Sequence, residues 1–168
     1  MFEVAVTYLL RATPAGSEVL LGRKLTGIGV GRVVGPGGKL EPDESPADAA
    51  AREVREEVGI TVAVDALQPV ARLEYEFPHR PAWSQASTAF LAREWSGEPM
   101  ASAELAPEWF PIGDLPLERM WDDAKLWLPR ALEGRFVRAA CVYAADNTSV
   151  ASWREEGIAV PDSRLESA

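Results

Sequence analysis

Three glutamates, Glu53, Glu56 and Glu57, stand close together in a stretch with the pattern of an amphipathic helix. Residues three and four apart share one helical face, so these carboxylates would repel one another unless a cation lay between them. Carboxylate oxygens are the ligands that Mg²⁺ and Mn²⁺ prefer. The spacing therefore predicts a divalent metal site. The alternative for an isolated run of this kind is a solvated helix face, neutralised here by Arg52 and Arg55.

The helix that carries the glutamates has recognisable first and last residues. Ser45 can cap it, Pro46 suits its first turn, and Gly59 can end it. Its apolar positions gather on the side away from the glutamates, namely Ala47, Ala51, Val54 and Val58. We therefore expect one face to pack against a sheet and the other to face a cleft.

The stretch from Gly38 to Ile60 follows a longer pattern, G-x5-E-x7-R-E-U-x-E-E-x-G-U, where U is a bulky apolar residue. This pattern resembles the signature of the Nudix hydrolases, with no position missing. The resemblance implies an α/β/α sandwich with a mixed β-sheet, and hydrolysis of a diphosphate linked to a further group. Within the pattern, Arg52 and Glu44 are interpreted as a structural pair, because a guanidinium can donate two hydrogen bonds to one carboxylate.

The resemblance also implies roles for individual residues. Nudix relatives bind metal through the three glutamates, and often through a backbone carbonyl of a glycine pair, which is Gly37 or Gly38 here. One glutamate is frequently proposed as the base, which corresponds to Glu57 or Glu53. A further glutamate from a later loop often completes the site, and Glu104 is the candidate, with an exposed loop carboxylate as the alternative. The implied cofactor is Mg²⁺, with Mn²⁺ as a possible substitute.

Three flanking stretches resemble the MutT-like branch that acts on oxidised purine nucleoside triphosphates. They are Leu20 to Lys24, Glu104 to Phe110, and Met120 to Pro129. In that branch a tryptophan stacks on the base and an acidic pair bonds the purine edge, which implies substrate contacts at Lys24, Trp121 and Asp123. The second acidic residue of the pair falls on Ala124, and the base-binding asparagine falls on Val34. A pocket without these polar groups is expected to discriminate bases less strictly.

Hydrophobic residues make up 47% of the 168 residues, which is enough for one sizeable core. We expect one domain over residues 1–155 and a mobile acidic tail over residues 156–168. The net charge of −9, from 17 basic and 26 acidic side chains, argues against binding to a nucleic acid polymer. Cys141 is the single cysteine and is predicted to lie in a buried strand. Without a leader or a long apolar span, the sequence predicts a cytoplasmic protein with no membrane contact and leaves the oligomeric state open.

The remaining elements indicate a mixed sheet between two helices. Strands are predicted at Phe2 to Leu10, Glu18 to Gly22, Thr61 to Val64, Ala71 to Phe77, Ser87 to Ala92, Phe136 to Tyr143 and Thr148 to Trp153, and a short strand or turn begins at Trp109 to Pro111. The second helix is predicted from Trp121 to Leu132, kinked or interrupted by Pro129. Gly27 to Gly38 is predicted to be a loop suited to close backbone approach to a ligand, and Glu98 to Pro107 an ordinary loop.

Three hypotheses follow for the function. The leading one is a metal-dependent diphosphohydrolase that converts a nucleoside triphosphate, such as 8-oxo-dGTP, to a monophosphate and pyrophosphate. The second is the same chemistry on a dinucleoside polyphosphate or nucleotide sugar, favoured by Val34 and Ala124. The third is a module that binds a nucleotide without cleaving it, and the complete motif argues against it.

Overall fold

The computed structural model describes residues 1–156, and within them one mixed sheet carries a helix on each face. Helix α1 spans Pro46–Val58 and helix α2 spans Ala124–Leu132. The strands are β1 Phe2–Thr13, β2 Gly16–Lys24, β3 Val33–Val34, β4 Gly37–Lys39, β5 Gln68–Glu76, β6 Gln85–Ala92, β7 Leu105–Pro111, β8 Val137–Tyr143 and β9 Val150–Glu155. The predicted tail lies outside the described residues except for Glu156, whose N–H donates to the Arg138 carbonyl at 2.8 Å.

Strand β1 lies at the centre of the sheet and joins its two halves. The strand order is β3-β2-β1-β6-β5-β8-β9, with β4 also paired to β1 and β7 also paired to β2. The pairs β1–β6 and β5–β8 are parallel, and the other pairs are antiparallel. The N-terminal half of β1 pairs with β4, whereas its C-terminal end pairs with β2. This arrangement leaves the glycine-rich segment lying beside the centre of the sheet.

Helix α1 forms and ends as its sequence predicts. The Ser45 hydroxyl accepts the Asp48 N–H at 3.1 Å, and Gly59 adopts the left-handed conformation with φ of 75°. The buried side of the helix packs against one face of the sheet and includes Ala49, Ala50, Val54 and Val58, while Ala47 and Ala51 are partly buried. One face of the sheet is therefore covered by α1, and Glu57 reaches from the helix to the backbone of β4.

Helix α2 covers the opposite face of the sheet. Trp127 and Leu128 are buried there against side chains of β1 and β5. The helix begins at Ala124, later than predicted, and continues through Pro129 to Leu132. Of the two effects predicted for Pro129, a kink or an interruption, the interruption is therefore wrong. Pro129 lies on the exposed side of the short helix, where its missing N–H does not leave a buried carbonyl without a partner.

Two further segments differ from the prediction. Thr61 to Val64 is not a strand, because only Thr61 makes a bridge, to Ser96, before a short 3₁₀ turn at Val64–Ala66. The segment Glu98 to Pro107 ends in β7 instead of remaining a loop, and β7 pairs along its whole length with β2. Among the described strands β7 pairs with β2 alone, and its prolines are tolerated because an edge strand has N–H groups that need no partner.

Candidate active site

Three carboxylates meet at one end of a cavity beside α1. Glu53 and Glu57 lie one helical turn apart, and Glu104 comes from the loop before β7. One carboxylate oxygen from each lies within 4.8 Å of the others. The Glu104 carbonyl accepts the Leu25 N–H at 2.9 Å, so the pairing of β7 with β2 carries this distant residue to the helix.

Glu57 is the most buried member of this carboxylate group. Its Oε1 accepts the Gly37 N–H at 2.8 Å, and only 6% of the residue is exposed. Burial raises its pKa to about 7, and the negative charges of Glu53 and Glu104 add to the rise. Burial also raises the pKa of Glu53. Oxygen-only ligands that repel one another at this distance fit a hard divalent cation such as Mg²⁺.

The glycine pair is required by the closeness of the helix and β1. A Cβ on Gly38 would lie 2.5 Å from the carboxyl carbon of Glu53. A Cβ on Gly37 would lie 2.3 Å from the carbonyl oxygen of Ala5. The backbone of β4 can therefore reach the carboxylates only because both positions lack a side chain.

Arg52 connects the loop before α1 to the helix. Its Nε and one terminal nitrogen each donate to the Glu44 carboxylate at 2.8 Å, and the same terminal nitrogen donates to the Lys39 carbonyl at 3.1 Å. Its other terminal nitrogen donates to Glu53 at 2.9 Å and to Glu56 at 3.2 Å. The hydrogen bonds from Arg52 lower the pKa of Glu44 to about 2. Glu56 is half exposed and lies outside the group formed by Glu53, Glu57 and Glu104.

Aromatic side chains line the other end of the cavity. Trp121 meets Phe77 and Tyr143 edge-on, with ring centroids 5.9 and 5.6 Å apart. The Arg32 guanidinium lies over the Trp121 ring, 4.4 Å from its centroid, and donates to the Met120 carbonyl at 3.3 Å. These contacts fix the orientation of Trp121 from the glycine-rich segment.

Asp123 lies beneath these aromatic rings and is 3% exposed. Its Oδ2 accepts the Tyr75 hydroxyl at 2.7 Å and the Trp127 indole N–H at 2.8 Å. Its Oδ1 accepts the Tyr143 hydroxyl. Three of about four acceptor positions of the carboxylate are thus taken by the chain itself. The neighbouring Asp122 does not line the cavity and accepts the Val150 N–H at 2.8 Å.

The cavity between the two ends has a volume of about 470 Å³. Lys24, Val34 and Ala124 also line it. Burial lowers the pKa of Lys24, and the nearby carboxylates oppose that change. The cavity is also lined by residues that the sequence interpretation missed. Four of them lie at strand positions that alternate towards α2, and Phe77 follows the last residue of β5: Tyr75, Phe77, Gln85, Ser87 and Tyr143.

The alternation of side chains along β5, β6 and β8 would have identified these residues once the face turned towards α2 was known. His79 is exposed in the loop after β5. Cys141 is buried in β8, as predicted. Among the described residues, no helix combines the length and apolar character that crossing a membrane requires.

Comparison with known proteins gives a consistent class for this fold and site. A family model for the NUDIX domain matches residues 1–131. The oxidized purine nucleoside triphosphate hydrolase of Danio rerio is 39% identical over 133 residues, which cover 79% of this chain and 83% of the relative. The 8-oxo-dGTP diphosphatase of Escherichia coli is 40% identical over 79 residues, which cover 46% of this chain and 56% of the relative. The MutT crystal structure from Bacillus halodurans has a TM-score of 0.76 at 24% identity, covering 93% of this chain and 98% of that one.

The chain belongs to the Nudix family and is a Nudix hydrolase. Its predicted α/β/α architecture and its resemblance to the MutT-like branch are both confirmed. Members of this family generally use a divalent metal, and the group formed by Glu53, Glu57 and Glu104 offers the oxygen ligands that such an ion needs.

Proposed function

We propose that this Nudix hydrolase cleaves an oxidised purine nucleoside triphosphate, such as 8-oxo-dGTP, to the monophosphate and pyrophosphate with the help of Mg²⁺. The observation that supports this proposal is one cavity with carboxylates at one end and an aromatic wall at the other. Such a cavity suits a ligand with a phosphate chain and a planar base. The names of the relatives from Danio rerio and Escherichia coli point to the same substrate class.

At the carboxylate end, Glu53, Glu57 and Glu104 would hold the metal, with Glu56 and a carbonyl of Gly37 or Gly38 as further ligands. A bound divalent ion supplies neutralisation of phosphate charge and a bound water of lowered pKa. Mn²⁺ presents similar chemistry and is a possible substitute.

The chain's own part in the reaction is to accept a proton and to hold the phosphates. Glu57 or Glu53 accepts the proton of the attacking water, whose oxygen forms the new bond to a phosphorus while the bond from that phosphorus to the bridging oxygen breaks, giving the monophosphate and pyrophosphate. The Gly37 N–H fixes the Glu57 carboxylate at 2.8 Å. Lys24 lies along the same cavity and can donate to a phosphate oxygen.

At the aromatic end, Trp121 stacks on the base, and Arg32 supports the ring from the glycine-rich segment. Asp123 keeps one acceptor position for an N–H of the base edge, since its other positions accept three donors of the chain. Arg52 and Glu44 are assigned no chemistry and hold the loop against α1.

A second substrate class is favoured by one observation. Val34 and Ala124 both line the cavity, and neither side chain can hydrogen-bond a base. A cavity with fewer polar contacts to the base suits a dinucleoside polyphosphate or a nucleotide sugar, which would bind more through phosphate and stacking contacts.

Hydrolysis assays of purified protein with Mg²⁺ separate these substrates. The panel contains ordinary and oxidised nucleoside triphosphates, dinucleoside polyphosphates and nucleotide sugars, with products identified by mass. We expect the highest kcat/KM with an oxidised purine triphosphate, and Glu57→Gln to lower it at least 100-fold because a ligand or base is lost. Near-wild-type turnover by Glu57→Gln, whose fold is verified by circular dichroism, contradicts the assignment of the site.

A further inference from the structure

The sheet itself forms the floor of the cavity, and its side chains alternate between α1 and the cavity. On β6 the cavity-facing positions are Gln85, Ser87 and Ala89. On the neighbouring β1, Val4 and Val6 face the same way. Val4, Val6 and Ala89 are apolar, so Gln85 and Ser87 introduce hydrogen-bonding groups beside them on this part of the floor.

Ser87 has no hydrogen-bond partner for its hydroxyl among the residues that the structure describes, although the residue is only 6% exposed. Its hydroxyl oxygen nevertheless remains accessible from the cavity, because the buried side-chain atoms that lack a partner among the described residues are the Trp95 indole nitrogen and the Asn147 amide oxygen. The backbone at this position is fully used for pairing with Val4 and Leu73. The free hydroxyl therefore points to a ligand that enters the cavity.

Gln85 lies two residues from Ser87 on the same face of β6. Its Nε2 donates to the Trp83 carbonyl at 3.1 Å, which fixes the amide and leaves its carbonyl oxygen available. Gln85 pairs with Tyr75 in the sheet, and the Tyr75 hydroxyl holds Asp123. Ser87, Gln85 and Asp123 thus line the same aromatic end of the cavity.

We propose that Ser87 and Gln85 hydrogen-bond the base and determine base specificity, in place of the polar groups that Val34 and Ala124 cannot provide. This inference rests on the proposed nucleotide substrate and extends it to the chemistry of the base. Gln85 and Asp123 offer acceptors, and the Ser87 hydroxyl both donates and accepts.

This set of groups fits a purine edge on which N–H donors alternate with a carbonyl. Guanine has such an edge in its ring N–H, amino group and O6. Oxidation at C8 creates a second one, because N7 gains a hydrogen and C8 gains a carbonyl oxygen. Adenine has no ring N–H on these edges and presents N1 and N7 as acceptors, so it offers fewer donors to the Gln85 and Asp123 acceptors. The floor therefore selects 8-oxoguanine over adenine.

Binding of nucleoside monophosphates tests this proposal without any need for turnover. The ligands are 8-oxo-dGMP, dGMP and dAMP, titrated in metal-free buffer and followed by tryptophan fluorescence or calorimetry. We expect Ser87→Ala to weaken 8-oxo-dGMP about 3- to 10-fold, the usual effect of one lost hydrogen bond, and to change dAMP less than twofold. Gln85→Leu should act in the same direction, and Ser87→Thr should restore much of the affinity because it keeps the hydroxyl.

Ser152→Ala is the matched control, since Ser152 is exposed on β9 and does not line the cavity. Thermal unfolding of each variant verifies its fold. Unchanged selectivity in both Ser87→Ala and Gln85→Leu overturns the proposal, and so does a wild-type protein that binds none of the three monophosphates. Wild-type protein that binds 8-oxo-dGMP selectively through Ser87 but hydrolyses no triphosphate would refute the proposed function and leave the base assignment standing.

Discussion

Replacing Glu57 with glutamine is expected to stabilise the metal-free protein while abolishing its activity. Burial raises the pKa of Glu57 from 4.5 to about 7, so the folded state binds this proton more tightly than the unfolded state does. The bound proton stabilises the folded state fully below pH 4.5, the pKa of Glu57 in the unfolded chain. This stabilisation is lost as the pH rises through about 7, its pKa in the folded state. Ionised Glu57 then lies uncompensated beside Glu53 and Glu104.

The size of the effect follows from the shift in pKa. A rise from 4.5 to about 7 corresponds to an upper limit of about 3 kcal/mol of folding free energy above pH 7. Solvent in the cavity screens the charge of Glu57 and reduces this loss of folding free energy. We therefore expect the loss to be about 1–2 kcal/mol. The glutamine keeps a carbonyl oxygen that can accept the Gly37 N–H.

The assay is urea unfolding of both proteins in EDTA at pH 5, 7 and 9. The excess in free energy of unfolding of Glu57→Gln over the wild type should be smallest at pH 5 and reach about 1–2 kcal/mol at pH 9. Glu108→Gln makes the same change in charge at an exposed position of β7 and should show no such dependence. A difference between Glu57→Gln and wild type that stays constant from pH 5 to 9 would refute the reasoning.

Three further changes test the contacts around the cavity. Arg52→Lys should lower the free energy of unfolding by about 1–2 kcal/mol, because an ammonium cannot make both hydrogen bonds to Glu44. Thermal unfolding measures this effect, and Arg55→Lys on the exposed side of α1 serves as the control. Trp121→Ala should raise KM for the best triphosphate about 10-fold with kcat within threefold, because stacking on the base is lost; an unchanged KM contradicts stacking. Gly29→Ala should raise KM and lower the melting temperature, because its Cβ would lie 2.8 Å from the Trp121 indole and the backbone there has a φ of +79°. Wild-type values in steady-state kinetics and thermal scans would exclude this contact.

The sequence predicts the carboxylate end of the site better than the aromatic end. Glu53 and Glu57 lie one turn apart on a helix whose cap and C-terminal glycine are local features, so their proximity follows from a short stretch of chain. Glu104 could be named only through the resemblance, since its position depends on β7 pairing with β2 over a distance of about eighty residues of chain.

The aromatic end depends on long-range packing, which residue spacing does not determine. Tyr75, Tyr143 and Trp127 come from three separate elements and converge only because Asp123 accepts a hydrogen bond from each. The first part of β7, which the sequence predicts as the end of a loop, shows the same limitation, because Pro107 argues against a strand unless its position at a sheet edge is known. The aromatic end of the cavity and strand β7 are both determined by contacts with distant parts of the chain and not by local propensity.

The bonds to Asp123 constrain how this enzyme can change substrate in evolution. A substitution at Asp123 would leave two tyrosine hydroxyls and an indole N–H buried without a partner, so the fold would be weakened before a new specificity could be selected. The side chains of Val34, Ala124 and Ser87 line the same cavity and make no hydrogen bond to another of the described elements. Divergence among descendants of this chain is therefore expected to concentrate at these three positions, while Asp123 stays fixed.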